Sequence, residues 1–549
     1  MKTWQREPEL LSALDRAVPE ILNSQKDNGQ FGSEPWISTD QNVLLALAAA
    51  WSLKDSTHYQ NEKVLRAIER GGYALQDAQD ETGKVIFRKK DHSTWGPIYM
   101  PWVYSRMVRA YYIVKDAMSN EAQERWNEAL LLAYDGIART ALDRVHNIPT
   151  HHAMGLYYAG KIFARLDWQE QARDFLYRVI DAQDEAGWWA EHKGPVVAYN
   201  LVYAESLGVY YTMSGDEKVL EALTRAAHYH AACVYPDGSL LETIDGRNPH
   251  HDGVRLGNVG FAHTPAGRGF LAQQHALFTR EGGAFDADYA THMLIYGADG
   301  ELVETAAAQN EHTSRIGDEA LVVRRRPWFY ALSAFTVEIP PNRFGQDRQN
   351  FASIYHDDVG LIAGGGNTKL QPLWSSFTVG DTALLSHKAG DEEPDFNQRE
   401  GLIHIPDSAE LLDLTAGAAV QLKYGETPCR ITLSPTSDRE LTIALAVTAP
   451  TQQPVTAHLT LIAHLGQPLN SAVGHCEALG EEALDWPDPE WIEHAGWKLS
   501  IPHGARLYWP VRPHTPYRKD GTAMIEEARL VVVLPFGDVK EHVLGMSIV

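Results

Sequence analysis

A helical segment begins with the residues His146-Asn147-Ile148-Pro149-Thr150-His151-His152-Ala153-Met154-Gly155. Pro149 suits the first turn of a helix but not its interior, and Thr150 is predicted to cap the helix. The apolar residues that follow would bury most of the helix surface. His151 and His152 would then lie in the first turn, where the helix dipole is positive and anions bind. We predict that both are catalytic; the alternative is a pair of structural histidines bonded to backbone carbonyls.

Helices are predicted from residue 7 to about residue 310, because apolar residues recur there with a spacing near 3.6. Each connection contains Gly, Pro, Asp or Asn, which end helices. The eleven predicted helices are Pro8–Ser24, Asp40–Leu53, Asn61–Gln79, Pro101–Asp116, Asn120–Ala141, Thr150–Leu166, Gln169–Ala182, Val196–Met213, Asp216–Cys233, Ala266–Arg280 and Phe285–Gly297. Helical hairpins of this number form a stacked solenoid or a closed toroid. Because no fixed-period repeat is present, we predict an (α/α) toroid, the catalytic domain, over residues 1–310.

Near residue 315 the pattern changes to short β-rich runs separated by Gly, Pro and Asp turns. The predicted strands are Ala320–Arg326, Trp328–Glu338, Ala352–His356, Val359–Ala363, Leu402–Ile405, Ala419–Leu422, Arg430–Leu433, Leu441–Val447, Ala457–Ile462, Trp497–Ile501, Arg506–Trp509 and Ala528–Pro535. About a dozen strands with this spacing indicate an antiparallel β-sandwich over residues 311–549 that contributes to the cleft. The domain boundary is predicted within Gly297–Ile316. The fold class is therefore α+β and multidomain.

Bulk composition excludes several classes of protein. The chain has 549 residues, more than one hydrophobic core accommodates, and a net charge of −24, which excludes nucleic acid as a main partner. No apolar run approaches 20 residues, so no membrane partner is predicted. The first residues lack the apolar centre of a signal peptide, which favours the cytoplasm; a removed signal would place the protein in the periplasm. Three dispersed cysteines argue against a disulfide framework and a cysteine-rich metal site.

Several connections between the predicted helices combine aromatic residues with charged ones. Alternate loops of a helical toroid open onto one end, so these loops would surround a single cleft. Aromatic faces that stack on sugar rings, with charged side chains between them, are the expected lining of a carbohydrate cleft. The alternative is that these residues pack loop corners. The candidate substrate-binding residues of these loops are Trp95, Trp188, Glu191, His192, Glu242 and Arg247.

A second group of candidates follows the loop at residues 187–195. Tyr199 and Tyr203 are four residues apart and so share one helix face, with Asn200 beside them. A tyrosine near cations serves as a base or an acid because a positive field lowers the pKa of its phenol. We therefore predict catalytic roles for both tyrosines and a substrate-binding role for Asn200. The alternative is that the tyrosines are amphipathic packing residues.

Polar residues are unusually dense in two stretches of the β-rich region, Asn342–Asn350 and Gly364–Ser375. Arg343, Arg348 and Asn367 are predicted to bind substrate, and His356 ends the strand between the two stretches. Gly364-Gly365-Gly366 does not form a phosphate loop, because no helix follows it and the Lys–Ser/Thr ending is missing. These glycines instead predict a tight turn close to another surface. The alternative for Arg343, Asp347 and Arg348 is a salt-bridged domain interface.

An all-helical toroid followed by a β-sandwich resembles the heparinase II/III and alginate-lyase group of polysaccharide lyases, with chondroitin and hyaluronate lyases as more distant relatives. That group has an Asn-His or similar pair at the start of a toroid helix, where His151-His152 stands here. It also has a Tyr on a later toroid helix and a His from the β-domain, positions that Tyr203 and His356 match. One departure is that His151 replaces the usual Asn, with Asn147 four residues earlier.

The resemblance implies cleavage of uronic-acid glycosides by β-elimination, with an anionic poly- or oligosaccharide as substrate and no metal or organic cofactor. Asn147, His151 and Arg343 would stabilise the enolate-like intermediate. His152 or Tyr203 would take the C5 proton, and Tyr199, Tyr203 or His356 would protonate the departing oxygen.

Three alternatives stay open at the level of sequence. A glycoside hydrolase would use two of the carboxylates Glu191, Asp237, Glu242 and Asp245. A non-catalytic carbohydrate-binding protein would bind the same ligands without turnover. The histidines at positions 250, 251 and 263 could hold a structural zinc ion.

Overall fold

A computed structural model describes residues 2–191, 193–336, 338, 341–388, 390–414, 417–449, 451 and 453–549. The chain forms two compact units. The first, helical unit comprises Met1–Trp189, Ala198–His228 and Leu256–Thr305. The second, β-rich unit comprises Ala190–Val197, Tyr229–Arg255 and Ala306–Val549. Two segments from the middle of the helical sequence thus belong to the β-rich unit.

All eleven predicted helices are confirmed, with ends that differ from the predicted ones by four residues or fewer. Helix ends depend on capping contacts, which apolar spacing does not report. The helices are α1 (Glu9–Asn23), α2 (Val43–Ser52), α3 (Glu62–Asp77), α4 (Pro101–Val114), α5 (Asn120–Thr140), α6 (Asn147–Ile162), α7 (Leu166–Asp181), α8 (Val197–Ser214), α9 (Val219–Ala232), α10 (Pro265–Arg280) and α11 (Ala287–Tyr296).

The helices of the first unit pack in two layers. Helix α2 is apolar on all sides and its residues 44–50 are all buried, so it must lie inside. It packs against α4 and α11, and α4 packs against α6. Helices α1, α3 and α7 each have one apolar and one polar face and lie outside these, with α3 against α2 and α7 against α6. An inner layer of helices enclosed by an outer one is the predicted toroid, which is confirmed.

Helix α6 begins earlier than predicted. His146 is its N-cap, Asn147 is its first residue, and Thr150 is not the cap, because its hydroxyl donates back to the His146 carbonyl at 2.6 Å. Pro149 is the third helical residue, where its missing N–H removes no intrahelical hydrogen bond. His151 and His152 therefore lie in the second turn, so the predicted contact with the positive end of the helix dipole is wrong.

Strands are numbered in chain order. In the helical unit they are β1 (Thr3–Trp4), which pairs with β6 (Gly300–Glu301), and β2 (Val85–Arg88), which pairs with β3 (Thr94–Ile98). In the β-rich unit they are β4 (Ala190–Glu191), β5 (Gly194–Pro195), β7 (Glu311–Ile316), β8 (Ala320–Arg325), β9 (Trp328–Ser333), β10 (Ala352–His356), β11 (Gly360–Ala363), β12 (Phe377–Gly380), β13 (Leu402–Ile403), β14 (Ser408–Leu412), β15 (Ala418–Tyr424), β16 (Thr427–Ser437), β17 (Glu440–Val447), β18 (Val455–Ile462), β19 (Leu469–Ser471), β20 (His475–Cys476), β21 (Leu484–Pro487), β22 (Trp491–His494), β23 (Trp497–Ser500), β24 (Arg506–Val511), β25 (Arg529–Pro535) and β26 (Glu541–Ile548).

Two large antiparallel sheets form the β-rich unit. The first has the order β21-β24-β25-β18-β11-β10-β9-β8-β7, with β12 beside β18 and β13 beside β12. The second has the order β14-β15-β16-β17-β26-β23-β22-β19-β20. Apolar side chains from both sheets, among them Leu332 and Leu461 from the first and Val420 and Leu544 from the second, share one hydrophobic core. This arrangement is the predicted antiparallel sandwich, which is confirmed.

Each of the twelve predicted strands is present. Fourteen further strands of the described chain were not predicted: the six short strands β1–β6, and β7, β12, β14, β19, β20, β21, β22 and β26. Most of these are short or carry charged residues on one exposed face, as β7 does with Glu311 and Arg315. Such strands show weak apolar runs, so pattern reading misses them.

Within the described part of the chain, no helix combines the length and the apolar character needed to cross a bilayer. The three cysteines are free.

Candidate functional site

His151 is buried between inner helices of the toroid. Its Nε2 lies 2.7 Å from Ser105 Oγ on α4, and its Nδ1 lies 3.3 Å from Ser206 Oγ on α8. Each serine hydroxyl also has a backbone carbonyl within reach, that of Trp102 at 3.2 Å from Ser105 and that of Val202 at 2.8 Å from Ser206. In a neutral ring one nitrogen donates to one serine and the other nitrogen accepts from the other serine. Burial lowers the pKa of His151 to about 3, so the ring is neutral. We infer that this ring connects three helices and does not bind substrate.

The next two predicted catalytic residues are also buried. His152 is 4% exposed, its ring bonds to the backbone of Tyr99, and burial lowers its pKa to about 3. Tyr203 is 0% exposed and stacks on Trp189, with ring centroids 5.1 Å apart and planes 6° apart. These environments suit packing rather than proton transfer to a substrate, because neither side chain offers an accessible polar atom.

His356 ends strand β10 in the β-rich unit and is 1% exposed. Its Nε2 donates to the Asp438 carbonyl at 2.9 Å, and its Nδ1 accepts from the Asp358 N–H at 3.1 Å. The ring also packs edge-on against Trp328, at 4.6 Å between centroids. Both nitrogens are therefore used in fixing adjacent turns, and the predicted catalytic role has no available atom.

Tyr199 differs from these four residues because its side chain is only half-buried. It is the third residue of α8, in the first turn of that helix. The adjacent Asn200 is 0% exposed and bonds to Trp189 through both ends of its amide. Its predicted substrate contact is thus replaced by a structural one, which holds the start of α8 against the chain at Trp189.

An aromatic hairpin formed by β2 and β3 presents Trp95 at the surface, where it is 50% exposed. Phe87 packs edge-on against this ring at 5.3 Å, and Lys89 Nζ lies 5.2 Å from its centroid. An exposed indole supported from one side and flanked by a cation is suited to stack on an acidic sugar. The other candidates of the helical unit are less accessible: Trp188 is half-buried, and Asn147 is 2% exposed.

In the β-rich unit, Arg247 is 8% exposed and its NH1 lies 3.1 Å from Glu191 Oε1. The guanidinium carbon lies 5.0 Å from the ring of Phe344 and 5.7 Å from that of Tyr517. The predicted residues Glu191 and Arg247 are therefore brought together as a buried ion pair within an aromatic surround. His192, also predicted to bind substrate, lies outside the described residues.

Three further predicted residues hold loops of the same unit together. Glu242 accepts from the Tyr235 hydroxyl at 2.7 Å and from the Gly365 N–H at 2.9 Å. Arg348 donates to the Ile244 carbonyl at 2.7 Å, and burial lowers its pKa to about 10. The third residue, Asn367, donates to the Asp245 carbonyl at 3.0 Å and accepts from the N–H groups of Gln349 and Asn350. All three side chains are almost fully buried, so their main contacts are structural.

The predicted close approach at the glycine triplet is confirmed. Gly365 has a φ of +115°, and a Cβ there would lie 2.2 Å from Arg529 Nε. Gly366 has a φ of +88°, and a Cβ there would lie 2.8 Å from Pro249 Cα. Both the backbone conformation and the space therefore exclude larger residues.

Arg343 does not join this cluster of buried contacts. Its guanidinium donates to the backbone carbonyls of Arg518, Lys519 and Glu392, at distances of 2.7–3.2 Å. These bonds hold two surface segments together. The predicted role in neutralising a substrate carboxylate would require some of these bonds to be exchanged.

The four carboxylates considered for a hydrolase all have internal partners. Glu191 pairs with Arg247, and Glu242 accepts the two hydrogen bonds given above. Asp237 accepts from both the backbone and the hydroxyl of Ser239. Asp245 accepts three backbone N–H bonds, while burial raises its pKa to about 6. Hydrolysis needs two carboxylates open to the glycosidic bond, so these partners do not favour a hydrolase.

Sequence reasoning missed a charged network inside the toroid. Arg106 of α4 donates to Asp288 of α11 at 2.8 Å, and His292 Nε2 lies 3.3 Å from Glu205 Oε1 of α8. Burial acts to raise the pKa of Glu205, but His292 and other basic neighbours outweigh it and hold this pKa well below its usual range. The sequence contained one signal for this network, the two arginines at positions 106 and 109 in an otherwise apolar helix. A buried charge needs a partner of opposite charge, so these arginines predict buried acidic residues nearby.

No group of three or more His, Cys, Asp or Glu side chains is placed to hold a metal ion in the described ranges. His250 Nε2 instead lies 3.0 Å from Asp252, His251 is exposed, and His263 packs edge-on against Tyr211 at 5.0 Å. These three histidines therefore do not form a common group of ligands within the part of the chain that is described.

Comparison with solved structures finds the same architecture in three polysaccharide lyases. A Paenibacillus xanthan lyase matches with a TM-score of 0.60 and 12% identity, over 99% of this chain and 57% of that one. A Streptomyces coelicolor A3 chondroitin AC lyase in complex with chondroitin sulphate matches with a TM-score of 0.58 and 13% identity, over 99% of this chain and 80% of that one. Heparinase III matches with a TM-score of 0.55 and 11% identity, over 99% of this chain and 85% of that one.

This chain thus spans a little over half of the xanthan lyase and most of the other two. No family model and no curated protein sequence matches it. Since identity is low throughout, these matches concern the fold. The chain has the fold of these polysaccharide lyases, a helical toroid followed by antiparallel β-sheets.

Proposed function

We propose that this protein is a polysaccharide lyase that cleaves uronic-acid-containing poly- or oligosaccharides by β-elimination. The observation that carries the proposal is the match of nearly the whole chain to three lyases, one of them bound to chondroitin sulphate. Chondroitin sulphate is an anionic polysaccharide, which agrees with the basic and aromatic character of the exposed hairpin around Trp95.

The reaction breaks the C5–H bond next to the uronate carboxylate. The electron pair forms the C4–C5 double bond, the C4–O bond breaks, and the departing oxygen takes a proton. A base and an acid are needed, together with groups that stabilise the negative charge on the carboxylate. No step requires a redox change.

Tyr199 is the proposed acid and base. Of the five side chains predicted to be catalytic, it is the one that is not buried. Tyr199 is the third residue of α8 and lies in the first turn of that helix. The phenolate would take the C5 proton, and the resulting phenol would return a proton to the departing oxygen.

Trp95 is the proposed platform for a sugar ring next to the cleaved bond. The exposed face of its indole would stack on the sugar ring, and the ammonium group of Lys89 beside the indole favours a sugar that carries an acidic group. His151, His152, Tyr203 and His356 are proposed to support the fold of the site rather than to contact substrate.

The test is an absorbance assay of the purified protein against a panel of glycans that contain glucuronate, iduronate, mannuronate or guluronate. A lyase leaves an unsaturated uronate that absorbs near-ultraviolet light, so an increase in absorbance on at least one glycan is expected. New reducing ends without this absorbance would identify a hydrolase, and binding without any product would identify a carbohydrate-binding protein; either result would reject the proposal.

A further inference from the structure

The β-rich unit contains a cavity of about 400 Å³ that the proposed reaction does not use. It lies beside the turn that follows β13 and the loop that contains Phe396. Small-molecule sites in proteins have volumes of about 300–1,000 Å³, so this cavity is large enough for a monosaccharide. Its walls differ sharply in chemistry, and each wall points to one part of a ligand.

The floor of the cavity is formed by a buried triad of charged and polar side chains. Lys369 Nζ lies 2.9 Å from Asp347 Oδ1, and His404 Nε2 lies 3.1 Å from Asp347 Oδ2. The three residues are 2%, 7% and 3% exposed in the order Lys369, Asp347, His404. A buried lysine and carboxylate are costly unless paired, and here both oxygens of the carboxylate have a nitrogen partner.

Two further histidines lie near the floor of the cavity. The ring of His514 lies 5.0 Å from that of His387, and both ring nitrogens of His514 are buried without a hydrogen-bond partner among the described residues. Burial first, and nearby basic side chains such as Arg343 and Lys369 second, lower the pKa of His514 to about 4, so its ring is neutral. The permanent cations on this side of the cavity are Lys369 and Arg343, which attract an anion, while the carboxylate of Asp347 opposes it.

One wall of the cavity is apolar and aromatic. Phe396 is only half-buried although it packs with Leu370, Leu385 and Leu402 in a small hydrophobic cluster. Lys369 Nζ lies 5.8 Å from the centroid of its ring. A half-buried phenyl face beside an ammonium group is suited to pack against the C–H face of a sugar ring while the ammonium binds its acidic group.

The rim of the cavity is polar. Asn397 and Gln398 are exposed side-chain amides, which can both donate to and accept from hydroxyl groups. Glu338 is also on the rim, where Lys193 Nζ lies 3.2 Å from its carboxylate and offsets its charge. A floor that contains Lys369 and His404, an apolar wall and an amide rim together match a polyhydroxylated ring that carries one anionic group.

We propose that this cavity is a binding site for an acidic monosaccharide unit, with a carboxylate or sulfate group toward Lys369 and His404 and the ring on Phe396. The site would bind either the free sugar acid or the end of a longer chain, since both present the same chemistry. It does not depend on the proposed elimination, because binding here requires no bond to break.

The test is isothermal titration of the whole protein with D-glucuronate, with D-glucose as the uncharged analogue and with inorganic sulfate as the bare anion. Glucuronate is expected to bind more tightly than either. Phe396→Ala should weaken binding about tenfold through loss of the ring contact, and Gln398→Ala about fivefold through loss of hydrogen bonds. Both side chains are accessible, so both variants should fold. Gln467→Ala, an exposed glutamine of the same unit, is the control and should bind as the parent does.

A crystal soaked with glucuronate locates the binding, with density expected between Phe396 and Lys369. Repeating the titration with a uronate tetrasaccharide separates the two sources: equal affinity indicates capture of a single unit, and tighter binding of the tetrasaccharide indicates capture of a chain end. Equal affinity for glucose, sulfate and glucuronate, or unchanged binding in Phe396→Ala, would overturn the proposal. Lyase activity is measured separately, so its failure would leave this result unaffected.

Discussion

The side-chain amide of Asn200 forms hydrogen bonds with both the backbone N–H and the backbone carbonyl of Trp189. Its Oδ1 accepts from the Trp189 N–H at 2.6 Å, and its Nδ2 donates to the Trp189 carbonyl at 3.0 Å. The amide thus imitates a strand neighbour for a single residue, directly before strand β4. Trp189 in turn stacks on Tyr203, so one amide positions the aromatic pair that supports the start of α8.

Asn200→Ala is expected to lower the free energy of unfolding by about 2–4 kcal/mol, because it leaves a buried donor and a buried acceptor unpaired. Urea unfolding followed by circular dichroism at the helical wavelength measures this change. Gln467→Ala, which removes an exposed amide, should cost almost nothing. A loss for Asn200→Ala no larger than that of the control would contradict the structural role.

Tyr199→Phe is expected to lower kcat by about 10²–10⁴-fold, because it removes the proposed acid and base while leaving the ring in place. The matched variant is Tyr203→Phe, which keeps the stack on Trp189 and should change kcat less than tenfold. Initial rates of absorbance increase on the best glycan provide both numbers. The reverse order of effects would assign the chemistry to Tyr203.

Trp95→Ala is expected to raise KM several-fold with little change in kcat, because a stacking platform binds substrate and transition state alike. The melting temperature should stay within about 1 °C of the parent, since the indole is 50% exposed. Leu166→Ala, which removes another exposed apolar side chain of the helical unit, is the control for non-specific effects. A fall in kcat with unchanged KM would show that the hairpin does more than bind.

The pKa of His151 predicts a dependence of stability on pH. Burial lowers this pKa to about 3, against about 6.5 in an unfolded chain. Between these values the unfolded state binds one more proton than the folded state, so the stability that the neutral ring contributes is present above about pH 6.5 and is lost as the pH falls.

His151→Gln keeps groups that can bond to Ser105 and Ser206 but does not titrate. It should therefore reduce the slope of unfolding free energy against pH by about 1.4 kcal/mol per pH unit between about pH 6 and pH 4. Urea unfolding at a series of pH values measures the slope, with the exposed His228→Gln as the control. An unchanged slope in His151→Gln would show that the ring is not held neutral.

The limits of the sequence predictions are clearest at particular residues. Helix α2 was predicted from apolar residues at helical spacing, a local property, and in the structure this helix of ten residues is apolar on all sides. Strand β26 was missed, although its residues alternate between buried and exposed, because Glu541, His542 and Gly545 weaken its apolar pattern. Its pairing with β17 and β23 depends on residues far away in the chain.

At the candidate site, too, the sequence indicated local residue types but not the contacts between residues that are distant in the chain. Glu191 and Arg247 were predicted separately as substrate-binding residues, and the sequence could not show that they form one buried ion pair. The Lys369–Asp347–His404 triad joins residues up to 57 positions apart and was not predicted as a group. Asp347 had been considered only as part of an interface.

By itself, the sequence determined the helical toroid and the β-sandwich, because apolar spacing and turn residues act over short distances and select helix or strand locally. Only the tertiary structure decided which histidines and tyrosines are exposed. His151 and Trp95 each follow a threonine and have another histidine within three residues in the sequence, yet one is 1% exposed and the other 50%. The direction in which a side chain points depends on how distant helices pack around it, and that packing is not recorded in its neighbours along the chain.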